Sequence, residues 1–297
     1  MNGTMLILNG KKAGQPEIRE AVNTLRGAQQ QLDVRVTWEA GDIGRNIDEA
    51  CIRNLERVVI GGGDGSVHEA ANAILTREGK VPLLGILPLG TANDFATSCQ
   101  IPVEPLKALR LALTGEATAI DAVQANEKFF LNVATVGFGA AVTVNTPVEL
   151  KNFLGGGAYT LTGLVQALNF EPYPSRVVTP DGEFSGQLLV GAVCNGRSAG
   201  GGQKLAPEAL LNDGLLDVLI INRFSMSDVP RILEELKTPG TEGRFIKRLK
   251  TPWLEGESEF EIPVNLDGEP FAANKIRFSV QPGAIKVILP SECPCIQ

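Results

Sequence analysis

The feature that most constrains this chain is an apolar run that breaks into a glycine loop. Arg57-Val58-Val59-Ile60 leads into Gly61-Gly62-Gly63-Asp64-Gly65-Ser66, and a helical pattern starts near Val67. This is strand, glycine loop, helix. A loop of that kind implies backbone brought close to a bulky anion, with N–H groups and a helix N-terminus facing it. Four glycines let the loop take positive φ. The loop lacks the Gly-Lys-Ser/Thr of a Walker A motif and the spacing of a dinucleotide fingerprint. Ser66 adds a hydroxyl and Glu69 lies one turn into the helix. His68, the sole histidine, reads as a local packing or polar contact rather than a catalyst.

The surrounding pattern predicts the fold class. Met5–Leu8, Val34–Trp38, Arg57–Ile60 and Leu83–Leu87 read as strands, and Glu17–Leu32, Asp42–Leu55, Val67–Leu75 and Val103–Leu113 as helices. Such alternation predicts an α/β domain with a mostly parallel sheet, whose ligands sit beyond the carboxyl ends of the strands. After about Asp121 the pattern changes to β-rich runs: Phe129–Val136, Arg176–Val178, Leu188–Cys194, Leu215–Ile221 and Arg277–Leu289. These predict a β-sandwich domain. Ser227–Leu236 and Tyr159–Leu168 read as helices within it. The expected boundaries are 1–122 for the α/β nucleotide-binding domain, with 282–297 returning to it, and 123–281 for the sandwich. Gly155-Gly156-Gly157 with Tyr159–Phe170 has the composition of a flap.

Bulk properties narrow the partners. A net charge of -7 and 5% aromatic residues argue against nucleic acid. No apolar run reaches the ~20 residues of a membrane span, and Met5–Leu8 is too short for a signal segment. The expected location is cytoplasmic, with a lipid reached from the membrane surface. Arg244, Lys247, Arg248 and Lys250 interleave with Phe245, Ile246, Leu249 and Trp253. That reads as a solvated strand or helix end, or as a membrane-resting surface. Five scattered cysteines suit a reducing compartment, and Cys293-Pro294-Cys295 supplies too few thiols for structural zinc. Oligomeric state is not legible.

A second loop, Leu87-Pro88-Leu89-Gly90-Thr91-Ala92-Asn93-Asp94-Phe95-Ala96, again follows a strand and precedes a helix. Asn93 or Asp94 is placed to cap that helix or to organise a cation. Together with Asn195-Gly196-Arg197, Gly200-Gly201-Gly202, Ala206-Pro207, Asn212–Asp217 and Leu266-Asp267-Gly268-Glu269, these motifs resemble the diacylglycerol kinase catalytic family. Length and the early Arg35–Glu39 segment look most like its bacterial YegS-type lipid kinases.

The resemblance implies ATP-dependent transfer to a lipid hydroxyl, with the nucleotide between two domains. Phosphatidylglycerol is the implied acceptor ahead of diacylglycerol. By position, Thr37, Gly63, Asp64, Gly65, Ser66, Val67, His68, Glu69 and Thr91 would contact ATP. Glu269 would accept the hydroxyl proton. Asp213, with the carbonyls of Leu210 and Leu215 and water, would hold a structural Mg²⁺ or Ca²⁺. A further Mg²⁺ would accompany the phosphates, with Asp64 and Asp94 as organisers. Ser66 and His68 depart from the family's usual threonine and asparagine. Read without the resemblance, Asp267-Gly268 is a hairpin turn. Rival readings are an NAD kinase, a sugar-phosphate kinase, or a non-catalytic nucleotide-binding module.

Overall fold

The computed structural model describes residues 3–140, 167–237 and 243–297. The glycine run Gly155–Gly157 and nearly all of the helix and flap expected from Tyr159 lie outside the described residues. The chain divides into two compact units, Met1–Ala122 with Pro282–Gln297, and Val123–Gln281.

The first unit holds β1 (Thr4–Leu8), α1 (Pro16–Gly27), β2 (Leu32–Val36), α2 (Asp42–Ile52), β3 (Arg57–Gly62), α3 (Asp64–Leu75), β4 (Leu83–Pro88), α4 (Asp94–Ser98) and α5 (Pro105–Thr114). Strand β5 (Ala117–Ala125) leads into the second unit. Pairing runs β4-β3-β1-β2, and each pair is parallel. The chain's final strand adds a parallel contact of Val287 with Leu84. Alternate residues feed the two faces, as strand geometry requires. Leu6, Leu8 and Val59 pack with Ile18, Val22 and Leu25 of α1 and Leu109 of α5, while α2 packs on α3. The tail is fastened here, with the Gly283 N–H donating to Asp121 Oδ1 at 2.8 Å.

Two boundaries moved for identifiable reasons. The second strand ends at Val36 rather than Trp38. The Trp38 and Glu39 N–H groups donate to Asp42 Oδ2 at 2.6 and 2.9 Å, which pulls the chain out of the ladder and leaves Trp38 95% exposed. Helix α3 starts at Asp64, three residues before the apolar periodicity begins.

The second unit holds β6 (Lys128–Phe130), β7 (Val133–Gly137), β8 (Tyr173–Thr179), β9 (Gly182–Cys194), β10 (Ser198–Ala199), β11 (Gln203–Lys204), β12 (Leu216–Asn222), α6 (Val229–Lys237), β13 (Ile246–Thr251) and β14 (Trp253–Leu266). Strand β15 (Glu269–Ile288) starts in this unit and ends in the first. The registers of β7, β8, β9, β12, β13 and β14 with one another, and of β14 with β15, are antiparallel. The long strands change partners along their length. Strand β9 pairs with β8 over its first half and with β7 and β12 over its second. Strand β14 does the same with β8 and then β7. The circuit β7-β9-β8-β14 therefore closes on itself, although the first half of β9 is paired only with β8 among the described residues. This is a β-sandwich whose strands pass from one layer to the other. One core joins Val136, Val193, Val218, Leu254, Val264 and Phe278. The opposite face of β9 and β12 packs Ala192, Leu219 and Ile221 against Val229 and Ile232 of α6.

Phe129–Val136 reads as one strand in sequence but is split at Leu131–Asn132. The N–H groups of Leu131, Asn132 and Val133 donate to the carboxylate of Asp267 at 2.8, 3.1 and 2.9 Å. A carboxylate 135 residues away in the chain ends one ladder and starts the next.

Candidate functional site

In the first unit the sequence-selected residues gather at one edge of the parallel sheet. Register places Leu8, Val36 and Gly61 side by side, and Gly62 beside Pro88. The turns at Asn9-Gly10, Thr37, Gly63–Ser66 and Gly90–Asp94 thus all leave from carboxyl ends. The order β2-β1-β3-β4 reverses direction between β1 and β3, so the connections out of those two strands diverge there. That is the position where open α/β sheets bind ligands. The glycine loop follows β3 directly.

The loop glycines serve a purpose other than the one expected. Gly61, Gly62 and Gly63 are absent from the positive-φ residues, and Gly63 is extended at φ -96°. They are small because the chain is crowded. A Cβ on Gly61 would lie 2.5 Å from Leu8 Cδ2. One on Gly62 would fall on the Ser66 side chain, 2.5 Å from its Cβ. One on Gly63 would meet Gly90 Cα at 3.0 Å, and one on Gly90 would meet Gly63 Cα at 2.5 Å. The two loops touch backbone to backbone, so neither has room for a side chain. Glycines with positive φ occur elsewhere, among them Gly200, Gly201 and Gly202 between β10 and β11.

Each predicted contact has a definite place. Gly63 caps α3, and Asp64, Gly65 and Ser66 form its first turn. The Ser66 and Val67 N–H groups reach back to the Gly63 carbonyl at 3.0 and 3.1 Å. Val67 and His68 bury their side chains. Asn72 Nδ2 lies 3.3 Å from His68 Nε2 and donates to the His68 carbonyl at 3.0 Å, a local polar contact of the kind the sequence suggested. Glu69 is half-buried. Thr37 accepts the Gly10 N–H on Oγ1 at 3.1 Å and donates its own N–H to Leu8, joining the ends of β1 and β2. Thr91 is exposed. Asn93 occupies the cap position of α4 without capping it through its side chain. Its amide instead accepts from the Gly90 N–H at 2.8 Å and donates to the Gly90 carbonyl at 2.9 Å, which closes the second loop on itself. Asp94 opens α4 and is buried.

The second unit holds the other candidates. Asp267 (φ 49°) and Gly268 (φ 103°) form the two-residue turn between β14 and β15. Both φ values are positive, as a type I′ hairpin requires. Asp267 is committed to the three N–H groups of Leu131–Val133. Glu269 stands exposed at the first paired position beyond the turn, opposite Leu266. Asn195 and Gly196 donate their N–H groups to the Asn132 carbonyl, and Asn195 Nδ2 donates to that of Leu131 at 2.8 Å. The Asn195-Gly196 motif thus braces the segment that Asp267 holds.

Asp213 accepts the Leu215 N–H on Oδ1 at 3.0 Å, across Gly214 at φ 72°. Leu210 and Leu215 are half-buried beside it in sequence. Lys250 Nζ lies 3.0 Å from Asp217 and 3.6 Å from Asp213 Oδ2. Burial raises the Asp217 pKa above its usual value, and the Lys250 ammonium opposes that rise. Register lines up Lys250, Asp217, Cys194 and Val133 across β13, β12, β9 and β7, and Asp267 follows on β14. Three strand spacings separate β12 from β14, or ~14 Å. The Asp213 group and the Glu269 hairpin therefore share one end of this sheet without sharing one site.

The basic cluster is spoken for. Arg248 donates to the last carbonyls of α6 at Glu235 and Leu236. Lys247 lies over the Phe184 ring at 3.8 Å, Arg244 over Phe245 at 5.1 Å, and Phe245 is buried. These contacts favour a packed strand over a membrane-resting surface. Sequence reasoning missed Asn9, Gly10 and Asn93 as the ties of the loops, and Asp267 as an anchor. Asp267 left a signal as the acid of a hairpin, and Asn93 as a candidate cap.

The comparisons extend over nearly the whole chain. The family model described as the diacylglycerol kinase catalytic domain matches residues 3–125. The one described as the YegS C-terminal NAD kinase beta sandwich-like domain matches residues 134–289. A protein of Shewanella frigidimarina named probable lipid kinase YegS-like is 49% identical, over 98% of this chain and 95% of its own length. One of the same name from Chromohalobacter salexigens is 46% identical, over 97% and 93%. The crystal structure of a diacylglycerol kinase from Bacillus anthracis shares the fold, with a TM-score of 0.76 at 21% identity over 98% of both chains. Among the described residues no helix is long and apolar enough to cross a membrane. The glycine loops, the Asp-Gly-Glu hairpin and these matches place the chain in the diacylglycerol kinase catalytic family, in the form that carries a YegS-type C-terminal domain.

Proposed function

We propose that this chain is a lipid kinase that takes the γ-phosphoryl group of ATP and transfers it to a lipid hydroxyl, with phosphatidylglycerol as the acceptor. The observation that carries the donor half is the backbone contact of Gly63 with Gly90, which joins the two loops at the carboxyl ends of the strands and which any Cβ would force apart. In this reading the first-turn N–H groups of α3, the Ser66 hydroxyl and Thr91 hold the phosphates, and Thr37 lies beside the nucleotide. An acid already stands at the first position of α3 in Asp64. Phosphates at that helix end need a divalent cation to offset like charge, and Asp64 and Asp94 are its organisers. Magnesium-bound ATP supplies the electrophilic phosphorus and neutralises the developing charge.

Glu269 accepts the acceptor's hydroxyl proton. It is exposed, and the Asp267 anchor fixes its hairpin without using it. Asp213, with the carbonyls of Leu210 and Leu215, holds a hard cation; the donors are all oxygen, which suits Mg²⁺ or Ca²⁺. That cation has a structural role, since the strand spacing keeps it from the hairpin. An acceptor with hydrocarbon chains rests on the similarity to proteins named probable lipid kinases. The proposal includes a cytoplasmic protein meeting its lipid at the membrane surface.

The test is transfer of label from γ-labelled ATP into mixed micelles of single lipids, with NAD and sugar phosphates as controls. Label in phosphatidylglycerol, lost in Glu269→Gln, is the expected result. Label in NAD alone overturns the reading.

A further inference from the structure

The C-terminal Cys-Pro-Cys gains a third thiol in the fold. Cys99, Cys293 and Cys295 converge so that their three Sγ atoms all lie within 4.8 Å of one another. Cys99 and Cys295 are fully buried and Cys293 nearly so. None of the three is in a disulfide, and the Cys295 S–H donates to the Ser98 carbonyl at 3.2 Å. It is the one such cluster of potential metal ligands among the described residues.

We propose that this triad binds a single soft, thiophilic d¹⁰ ion, zinc(II) or copper(I), and so staples the C-terminal tail to the end of α4. Thiolate is the ligand that such ions prefer. Zinc–sulfur bonds of ~2.3 Å need sulfur pairs ~3.8–4.0 Å apart, so the triad has to close by less than ~1 Å. Binding releases the three thiol protons to solvent and leaves each sulfur as a thiolate ligand. The Ser98 carbonyl, now without its S–H donor, stands beside the ion. Isolated buried cysteines are ordinary small apolar residues. Here two come from a tail and one from a helix end nearly 200 residues earlier, and proline stiffens the link between the tail pair.

The placement has a consequence. Cys99 directly follows α4 and donates its N–H to Phe95 at 3.0 Å. The first turn of the same short helix carries Asp94. An ion on the triad would fix the far end of the element that the second glycine loop runs into. The inference stands on the sulfur geometry and does not depend on the kinase reading.

The test uses the full chain, purified anaerobically with reductant from cells supplied with zinc or copper. Native mass spectrometry and elemental analysis should find one zinc or copper per chain, and Cys99→Ser and Cys295→Ser should each lose it. Cobalt(II) added to the stripped protein should give sulfur-to-cobalt charge-transfer absorption that Cys99→Ser abolishes. If the serine variants fail to fold, a mercurial titration of the wild type decides, with one ion released as three thiols react. A wild type that holds no ion and gives no cobalt–sulfur band overturns the proposal. So does a disulfide between any two of the three in the anaerobic protein.

Discussion

Asp267 and Glu269 are two residues apart and should fail in opposite ways. The Asp267 carboxylate takes three backbone N–H groups at 2.8–3.1 Å, all from buried residues. In Asp267→Asn one oxygen becomes an NH₂ that faces a donor, and the remaining bonds lose their charge. At 1.5–3 kcal/mol for a charge-assisted bond, the loss is about 3 kcal/mol. With a urea slope of ~1.5–2 kcal/mol/M, the midpoint of the second unit falls by ~1.5–2 M. The hairpin loosens, and kcat drops ~10–100-fold through misplacement of Glu269. In Glu269→Gln nothing buried changes, so the midpoint stays put while kcat falls ~10²–10⁴-fold, the range for a lost general base. The chain has two tryptophans. Trp38 is fully exposed, and Trp253 lies half-buried with the Arg277 guanidinium 4.3 Å from its ring. A Trp38→Phe background therefore lets fluorescence report the second unit alone. An unchanged midpoint in Asp267→Asn would refute the anchor, and full turnover in Glu269→Gln would refute the base.

The other predictions probe the remaining parts. Gly90→Ala sets a Cβ against Gly63 Cα and Asn93 Oδ1, a strain of ~1–3 kcal/mol; KM for ATP should rise ~10-fold or more, and an unchanged KM would detach the loop contact from nucleotide binding. Lys250→Gln removes an ammonium 3.6 Å from Asp213, so calcium affinity measured by calorimetry should rise ~10-fold; weaker binding would mean that the lysine supports the site. Asp42 is held down to about 2, first by the Glu39 N–H, then by that of Trp38 and by Arg45. A depressed carboxylate stabilises above its unfolded pKa and stops doing so as pH falls through the folded one. The turn after β2 should therefore keep its NMR shifts from neutral pH to pH 4 and lose them toward pH 2; loss already at pH 4 contradicts the geometry.

What was legible in the sequence depended on how local the cause was. The four strands and flanking helices of the first unit announce themselves because burial follows a local pattern there, a continuous apolar run at Met5–Leu8 and a helical period at Ile43–Ile47. The same reasoning misplaced whatever a distant group decides. Phe129–Val136 looks like one strand because nothing within it signals the break that Asp267 imposes. Trp38 looks like a strand residue because the carboxylate that claims its N–H lies four residues on. The basic segment at Arg244–Lys250 looked free because its partners, Asp217, Phe184 and the end of α6, lie in other parts of the chain. The tail cysteines looked incidental because their third member is Cys99.

The glycine loop carries the same point to the chemistry. Glycine in sequence suggests left-handed backbone, yet Gly63 is extended and the pressure comes from Gly90. The distinction changes what a substitution tests. A positive-φ glycine tolerates D-alanine and rejects L-alanine. A glycine at a backbone contact rejects L-alanine even where its dihedrals would suit it, because the obstacle is the other chain segment. The two loops then act as one part: Asn93 grips Gly90, Gly90 rests on Gly63, and Gly63 caps the helix whose first turn would meet the phosphates. Asn93→Ala removes the grip without adding an atom. It should raise KM for ATP in the same direction as Gly90→Ala, and the double variant should cost less than the sum of the two. Strict additivity would separate the loops and leave the phosphate cradle to the first one alone.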